Sequence, residues 1–183
     1  MIRPFSIIAG ILLFSFHAAF GQFSHDQLRD GFFAMKDEKC GQMKFFERIK
    51  SEKYASAVHQ AYAGTAEAAS AECASGPYNK IEYFNRGKKN IEAAVIKAPK
   101  DPEVRFMRFA TQANIPGFLF YDNIKEDKAL IIEQLPALLG DVSGRKFWLR
   151  VAAFMKNSGE LDKREVEMIE KLISGNAVYR DKN

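Results

Sequence analysis

The chain has 183 residues, with 27 lysines and arginines against 23 aspartates and glutamates, and therefore a net charge of +4. So small an excess, spread along the whole chain, does not indicate a nucleic-acid-binding surface. Hydrophobic residues make up 47% of the sequence, which is typical of a chain that can bury a substantial core.

The first 21 residues have the pattern of a cleavable signal peptide. Arg3 supplies a short positive segment, an apolar run extends from Phe5 to Phe20, and small residues stand at Ala19 and Gly21. Positive, apolar and small residues in this order are typical of a segment that is exported and then cleaved. Cleavage after Gly21 would make Gln22 the first residue of the mature protein.

A membrane anchor is the alternative interpretation of the same segment. The apolar run falls short of the roughly 20 residues that span a bilayer. It is also interrupted by three polar residues, Ser6, Ser15 and His17. We therefore expect an exported protein, periplasmic or extracellular, with no membrane insertion after signal removal. Residues 22–183 would form a single all-α domain with a net charge of +3, because only Arg3 is lost from the charged residues.

The first half of the mature chain follows a helical period, and no segment alternates as a strand would. The first predicted helix begins at Ser24, with Gln27 at capping-box spacing, and ends near residue 36. The next three are predicted at 40–51, 54–75 and 79–98. The third helix is rich in alanine, and the fourth carries small residues on its inward stripe, so both favour close helix packing.

The second half continues the pattern. Asp101 and Pro102 are typical of the start of a fifth helix that reaches about residue 113. An irregular, aromatic connection is predicted at 114–122, and a sixth helix at 124–139 that Pro136 should kink or end. The remaining predicted features are a seventh helix between turns at 140–144 and 157–159, and an eighth that starts at Asp162 and ends before Gly175. The fold prediction is all-α, with seven or eight helices packed as antiparallel hairpins.

Two cysteines, Cys40 and Cys73, would meet an oxidising compartment after export. If the second and third predicted helices formed a hairpin turning near Glu52, Cys40 would lie about 13 Å of helix away from Cys73. A disulfide tolerates a Cα separation of only about 7 Å. This geometry predicts two free thiols, unless a bend at Gly64 changes it.

Part of the fourth helix resembles the second helix of a tetratricopeptide repeat. Gly87, Ile91, Ala94 and Pro99 have the spacing of its small, large, small and proline positions. The likeness covers about 20 residues of the chain. It implies a helical array built from hairpins.

A longer run, from 79 to 127, is similar to a family of small, uncharacterised secreted helical proteins of Gram-negative bacteria. The motifs that carry this resemblance are Gly-Lys-Lys at 87–89, Pro-Glu-Val-Arg-Phe-Met-Arg-Phe at 102–109, Asn-Ile-Pro at 114–116, and Phe118, Tyr121, Ile124 and Asp127. The resemblance implies export and a helical fold, and it implies no activity.

Residue sets for catalysis or metal binding do not stand out. The mature chain has two histidines, His25 and His59, and neither lies in a metal-binding pattern. A Gly-x-Ser-x-Gly elbow, a phosphate loop and a dinucleotide fingerprint are all absent from the sequence. We therefore predict no catalytic residue, no metal and no cofactor.

The best candidate for a binding site is the fifth helix with its exit. Arg105, Arg108 and Gln112 share one helical face and could hold a carboxylate or phosphate, with Tyr121 beside them. The structural alternative, which we favour, is that Arg108 anchors the connection 114–122 by bonding its carbonyls. Likewise, the aromatic residues of that connection could form an exposed patch, but burial between the fifth and sixth helices is the preferred interpretation.

These observations favour an exported helical module that works by contact with a protein or peptide of the cell envelope. The alternative is a small-ligand carrier or enzyme that uses Arg105, Arg108 and Gln112. A closed apolar pocket beside those residues would favour the ligand, whereas an open groove would favour a partner.

Overall fold

The structure is a computed structural model and describes residues 23–180, without the side chains of Phe118 and of residues 176–180. Within that range the chain forms eight α-helices and one 3-10 turn and contains no strand, which confirms the all-α prediction. The elements are α1 (His25–Ala34), α2 (Gly41–Ile49), α3 (Ala57–Ser70), α4 (Gly76–Lys97), α5 (Pro102–Gln112), the 3-10 turn (Gly117–Leu119), α6 (Ile124–Gly140), α7 (Arg145–Asn157) and α8 (Lys163–Arg180). The predicted signal peptide lies outside the described residues. Among residues 23–180, no helix has both the length and the apolar character needed to cross a membrane.

Local capping signals place the starts of α1 and α5. The Ser24 hydroxyl accepts a hydrogen bond from the Gln27 backbone N–H, and the Gln27 side chain accepts one from the Ser24 backbone, so the predicted capping box is present. Asp101 accepts bonds from the first turn of α5. These contacts satisfy backbone donors that a helix start leaves free.

Pro136 lies inside α6, which ends within one residue of its predicted end, whereas Gly175 does not end α8 as predicted. α6 continues through Pro136 to Gly140, and α8 continues through Gly175 to Arg180. Leu135 and Leu139, on either side of the proline, are fully buried. Their packing supplies a reason for the helix to continue past a residue that removes one backbone hydrogen bond.

The central helix is α3, in which twelve of the 14 residues are buried. A Cβ built on Gly87 of α4 would lie 2.3 Å from the backbone nitrogen of Ala68 and 2.5 Å from the carbonyl oxygen of Gly64. The small residues therefore bring the two helix backbones into direct contact, which is the kind of close packing that small residues on a helix face favour. Arrangement of the whole chain as a tetratricopeptide-like array remains a prediction.

The main core takes buried residues from all eight helices that the structure describes. Its centre is a group of aromatic rings in mutual edge-to-face contact, Phe32, Phe33, Phe106, Phe147 and Phe154. A buried polar link crosses the same region, because Glu103 accepts hydrogen bonds from both Arg29 and the Tyr62 hydroxyl. Aromatic packing thus holds α1 and α7 against α5.

The prediction of free thiols is wrong, because Cys40 and Cys73 form a disulfide with their Cα atoms 5.8 Å apart. The hairpin geometry failed because α2 ends at Ile49 and α3 begins only at Ala57. The seven-residue connection lets the two helices shift along one another. Both cysteines then lie just outside their helices, where they can meet. A disulfide is compatible with an oxidising compartment.

Candidate functional site

The four residues predicted as a binding site lie close together around carboxylates of the same chain. α5 carries Arg105, Arg108 and Gln112 on the face that it turns towards the start of α6, and Tyr121 lies in the connection between these helices. Asp127 belongs to the first turn of α6, where the helix dipole favours a negative charge. The site is therefore built where three elements converge.

Arg108 and Asp127 form the centre of this site. The guanidinium donates two hydrogen bonds of 2.8 Å to Asp127, and a third contact of 3.1 Å reaches Glu92 of α4. Burial alone would lower the pKa of Arg108, but the hydrogen bonds and charge of Asp127 raise it above its ordinary value. Burial raises the pKa of Asp127, and Arg108 and Arg105 oppose that rise. The sequence anticipated a buried anchor but named the wrong partners, since these are carboxylates and not loop carbonyls.

The two neighbours of Arg108 on α5 complete the contact with α6. Nη1 of Arg105 lies 3.1 Å from Asp127. The side-chain oxygen of Gln112 accepts a hydrogen bond from the backbone N–H of Asn123, just before α6. The Gln112 amide nitrogen is buried without a partner among the described residues. Gln112 thus fastens the end of the 114–122 connection, which is the role that the sequence gave to Arg108.

Tyr121 completes the site from the loop side. Its hydroxyl donates a 2.6 Å hydrogen bond to Glu92, and the ammonium of Lys88 lies 4.5 Å from its ring centroid. Burial, reinforced by Glu92, raises the pKa of Tyr121 well above its ordinary value, so its hydroxyl stays protonated. The tyrosine therefore links the loop to α4. In this arrangement carboxylates of the same chain already compensate the positive charges of α5.

The aromatic connection is divided between core and surface. Tyr121 is 6% exposed and packs against Phe84, whereas Phe120 is 88% exposed and has a positive φ of 47°. A bulky residue rarely adopts this backbone conformation, so the loop holds Phe120 towards solvent at a conformational cost. The expectation that the aromatic cluster is buried is correct for Tyr121 and wrong for Phe120.

A large cleft opens beside this connection, with a volume of about 980 Å³. The residues that line it lie on or next to α1 to α5 and α7, and in the segment that follows α5. Most of the side chains that line it are apolar, among them Phe32, Phe33, Ala68, Ile81, Phe84, Ile115, Leu119 and Phe154. A volume near the upper end of the usual range for ligand pockets is enough for several large side chains.

Exposed apolar side chains also occur at and next to residues that line the cleft. Ile81, which lines it, is 53% exposed, and Tyr78, one helical turn earlier on α4, is 77% exposed. Phe120 follows directly after Leu119, which also lines the cleft. Large exposed apolar residues at the edge of an apolar cavity are typical of an interaction surface.

Sequence reasoning did not find this cleft. Its walls come from residues as far apart along the chain as Phe32 and Phe154. Helical periodicity predicts which face of each helix is apolar but not which faces remain uncovered after packing. The one available signal was the aromatic connection, of which Ile115 and Leu119 line the cleft.

Searches of known protein families, curated proteins and solved structures found no match for the chain. In the part of the chain that the structure describes, no group of three or more His, Cys, Asp or Glu residues is placed to hold a metal ion. A function for the protein therefore rests on the geometry of its own residues.

Proposed function

We propose that the protein is an exported interaction module that binds an apolar segment of a protein or peptide of the cell envelope in the cleft. The observation that carries this proposal is the cleft of about 980 Å³, whose apolar surface extends outward over exposed side chains. Burying such a surface against a partner is favourable by roughly 25 cal/mol for each Å² of apolar area removed from water.

The extent of the apolar surface favours a macromolecular partner over a small ligand. A ligand held inside a pocket would leave Tyr78 and Phe120 in water, at 77% and 88% exposure. A partner that enters the cleft and covers its edge would remove both from solvent. Aromatic side chains of this kind are enriched among the residues that dominate binding energies at protein interfaces.

The charges at the α5 face also support this proposal over the carrier or enzyme alternative. Arg108 already bonds Asp127 and Glu92, and Arg105 already lies against Asp127. An anionic ligand would have to displace carboxylates that are bound at hydrogen-bonding distance. Neither arginine lines the cleft. The site around Arg108 is therefore better suited to stabilising the wall behind the cleft than to binding a ligand.

Affinity capture from an envelope extract, compared between two matched variants, tests the proposal. Ile81→Asp places a charge in the cleft, whereas Ile96→Asp places one on the same helix at a residue that is 80% exposed and does not line it. We expect a protein that is retained by the wild type and by Ile96→Asp but lost from Ile81→Asp. Retention that is equal in all three, or co-purification of a small metabolite that Ile81→Asp releases, would contradict the proposal.

A further inference from the structure

The residues that line the cleft include more positively charged than negatively charged side chains. Three cations line it, Lys36 after α1, Lys80 on α4 and Arg150 on α7, against one anion, Glu72. The Glu72 carboxylate already accepts a hydrogen bond from Gln42 across the cleft wall. The lining of the cleft therefore carries more positive than negative side chains, although the net charge of the whole chain is small.

Two of the three cations are available for a partner. Lys36 and Lys80 are exposed, and neither has an ion pair with any residue that the structure describes. Arg150 is held more firmly, because it lies 3.2 Å from Asp30 and its guanidinium stacks 3.9 Å above the ring centroid of Phe33. The cations come from three separate parts of the chain, so a partner with several negative groups could contact more than one of them.

The walls of the cleft also restrict the backbone conformation of an occupant. Most of the residues that line it lie in helices, and backbone N–H and C=O groups inside helices bond within the same helix. An extended peptide would bury its own backbone groups against apolar side chains without partners, which is costly. An α-helix satisfies its backbone internally and presents side chains alone, as in the helix-in-groove mode of recognition.

Building on the proposed function, we infer that the occupant of the cleft is an amphipathic α-helix whose apolar face is flanked by acidic side chains. Its apolar residues enter the cleft between Phe84 and Phe154, and its acidic residues face Lys36, Lys80 and Arg150. Such opposite charges around an apolar contact favour rapid association and select the orientation of the partner.

A charge-swap experiment with synthetic peptides tests this inference. The probe is a fluorescent peptide of about 18 residues, or about 27 Å as a helix, with leucines on one face and glutamates on both flanks. A second peptide carries lysines in place of the glutamates. Binding is followed by fluorescence anisotropy with the wild-type protein and with Lys36→Glu/Lys80→Glu. The control, Lys125→Glu/Lys146→Glu, makes the same change of net charge at exposed residues that do not line the cleft.

We expect the acidic peptide to bind the wild type and the control, and to bind Lys36→Glu/Lys80→Glu at least about tenfold more weakly. The basic peptide should bind Lys36→Glu/Lys80→Glu more tightly than it binds the wild type or the control. Circular dichroism of each variant confirms that it is folded. A higher salt concentration should weaken the binding of the acidic peptide to the wild-type protein, because salt screens the attraction between the charges.

Equal binding of both peptides, abolished by Ile81→Asp, would overturn the acidic helix but leave the proposed function standing. If neither peptide binds and a fluorescent fatty acid does, with loss in Ile81→Asp, the cleft holds a small ligand and both proposals fail. Absence of binding by all three probes would also overturn the acidic helix, while envelope capture by the wild type would still decide the proposed function.

Discussion

The guanidinium of Arg108 forms two parallel hydrogen bonds of 2.8 Å with the carboxylate of Asp127, and Arg108 is 4% exposed while Asp127 is fully buried. Arg108 also contacts Glu92, so one side chain joins α4, α5 and α6. Such a buried pair is sensitive to loss of one partner, because the other charge is then left without compensation.

Arg108→Ala should therefore lower the free energy of unfolding by about 3–5 kcal/mol. Arg108→Lys should recover part of this loss, because a lysine supplies the charge but not the two parallel bonds. Chemical denaturation measures both. Arg164→Ala, at an exposed position of α8, is the control and should change stability by no more than about 0.5 kcal/mol. If Arg108→Ala is as stable as the wild type, Arg108 becomes the leading candidate for an anion-binding residue.

Gly87→Ala should destabilise the α3–α4 pair by about 3 kcal/mol or more, because the new methyl group would overlap the backbone of α3 at Ala68 and Gly64. Backbone atoms cannot move aside as a side chain can. The control is Gly140→Ala, where the added methyl group has no neighbour within 4 Å. Thermal unfolding of the two variants compares them directly. A melting temperature of Gly87→Ala equal to that of the control would show that the helices do not make this contact.

Loss of the Cys40–Cys73 disulfide should lower stability by about 4 kcal/mol, since the bond closes a loop with a sequence separation of 33. Denaturation of Cys40→Ser/Cys73→Ser beside the oxidised wild type measures the difference. The oxidised protein, denatured without reductant, should not react with a maleimide, and it should gain two labels after reduction. Reaction with two maleimides before reduction would show that both thiols are free, as the sequence predicted.

Alkaline pH should unfold the protein through its buried tyrosines. Burial, with the charge of Glu103, raises the pKa of Tyr62 well above its ordinary value, and burial with Glu92 does the same for Tyr121. In the unfolded chain these phenols ionise near pH 10. Their contribution to stability is therefore complete below about pH 10 and is lost as the pH rises beyond it.

Phenolate absorbance and helical circular dichroism, recorded together during an alkaline titration, check this prediction. The last tyrosines should ionise only as helix is lost. Tyr62→Phe should reduce that late phase, whereas Tyr78→Phe, at a side chain that is 77% exposed, should leave it unchanged. Ionisation of all six tyrosines near pH 10 in a protein that keeps its helices would contradict it.

The N-terminal segment predicts processing on export. Protein recovered from the envelope or medium of an exporting host should begin at or within a few residues of Gln22. Intact mass measurement distinguishes this from the full chain. Substituting Ala19 and Gly21 with bulky residues should block cleavage, because the peptidase needs small side chains there. Retention of Met1 in the exported fraction would exclude a cleaved signal.

Tertiary contacts decide the partners of several residues that the sequence singled out. Arg108 was predicted to be a buried anchor, but its partner could not be predicted because Asp127 lies 19 residues further along the chain. Phe120 and Tyr121 are neighbours in sequence, yet one points to solvent and the other into a contact with Phe84. Composition alone cannot separate two adjacent aromatic residues, since the local backbone conformation decides where each one points.

The all-α class and most helix starts were determined by the sequence alone, because their signals are local. The capping box at Ser24, the cap at Asp101 and the small residues around Gly87 act within a few residues or along one helix face. Only the tertiary structure decided the disulfide, the carboxylate partners of Arg108 and the open cleft. Each depends on how helices distant in sequence are displaced and packed, and a one-residue error in a connection shifts every contact beyond it.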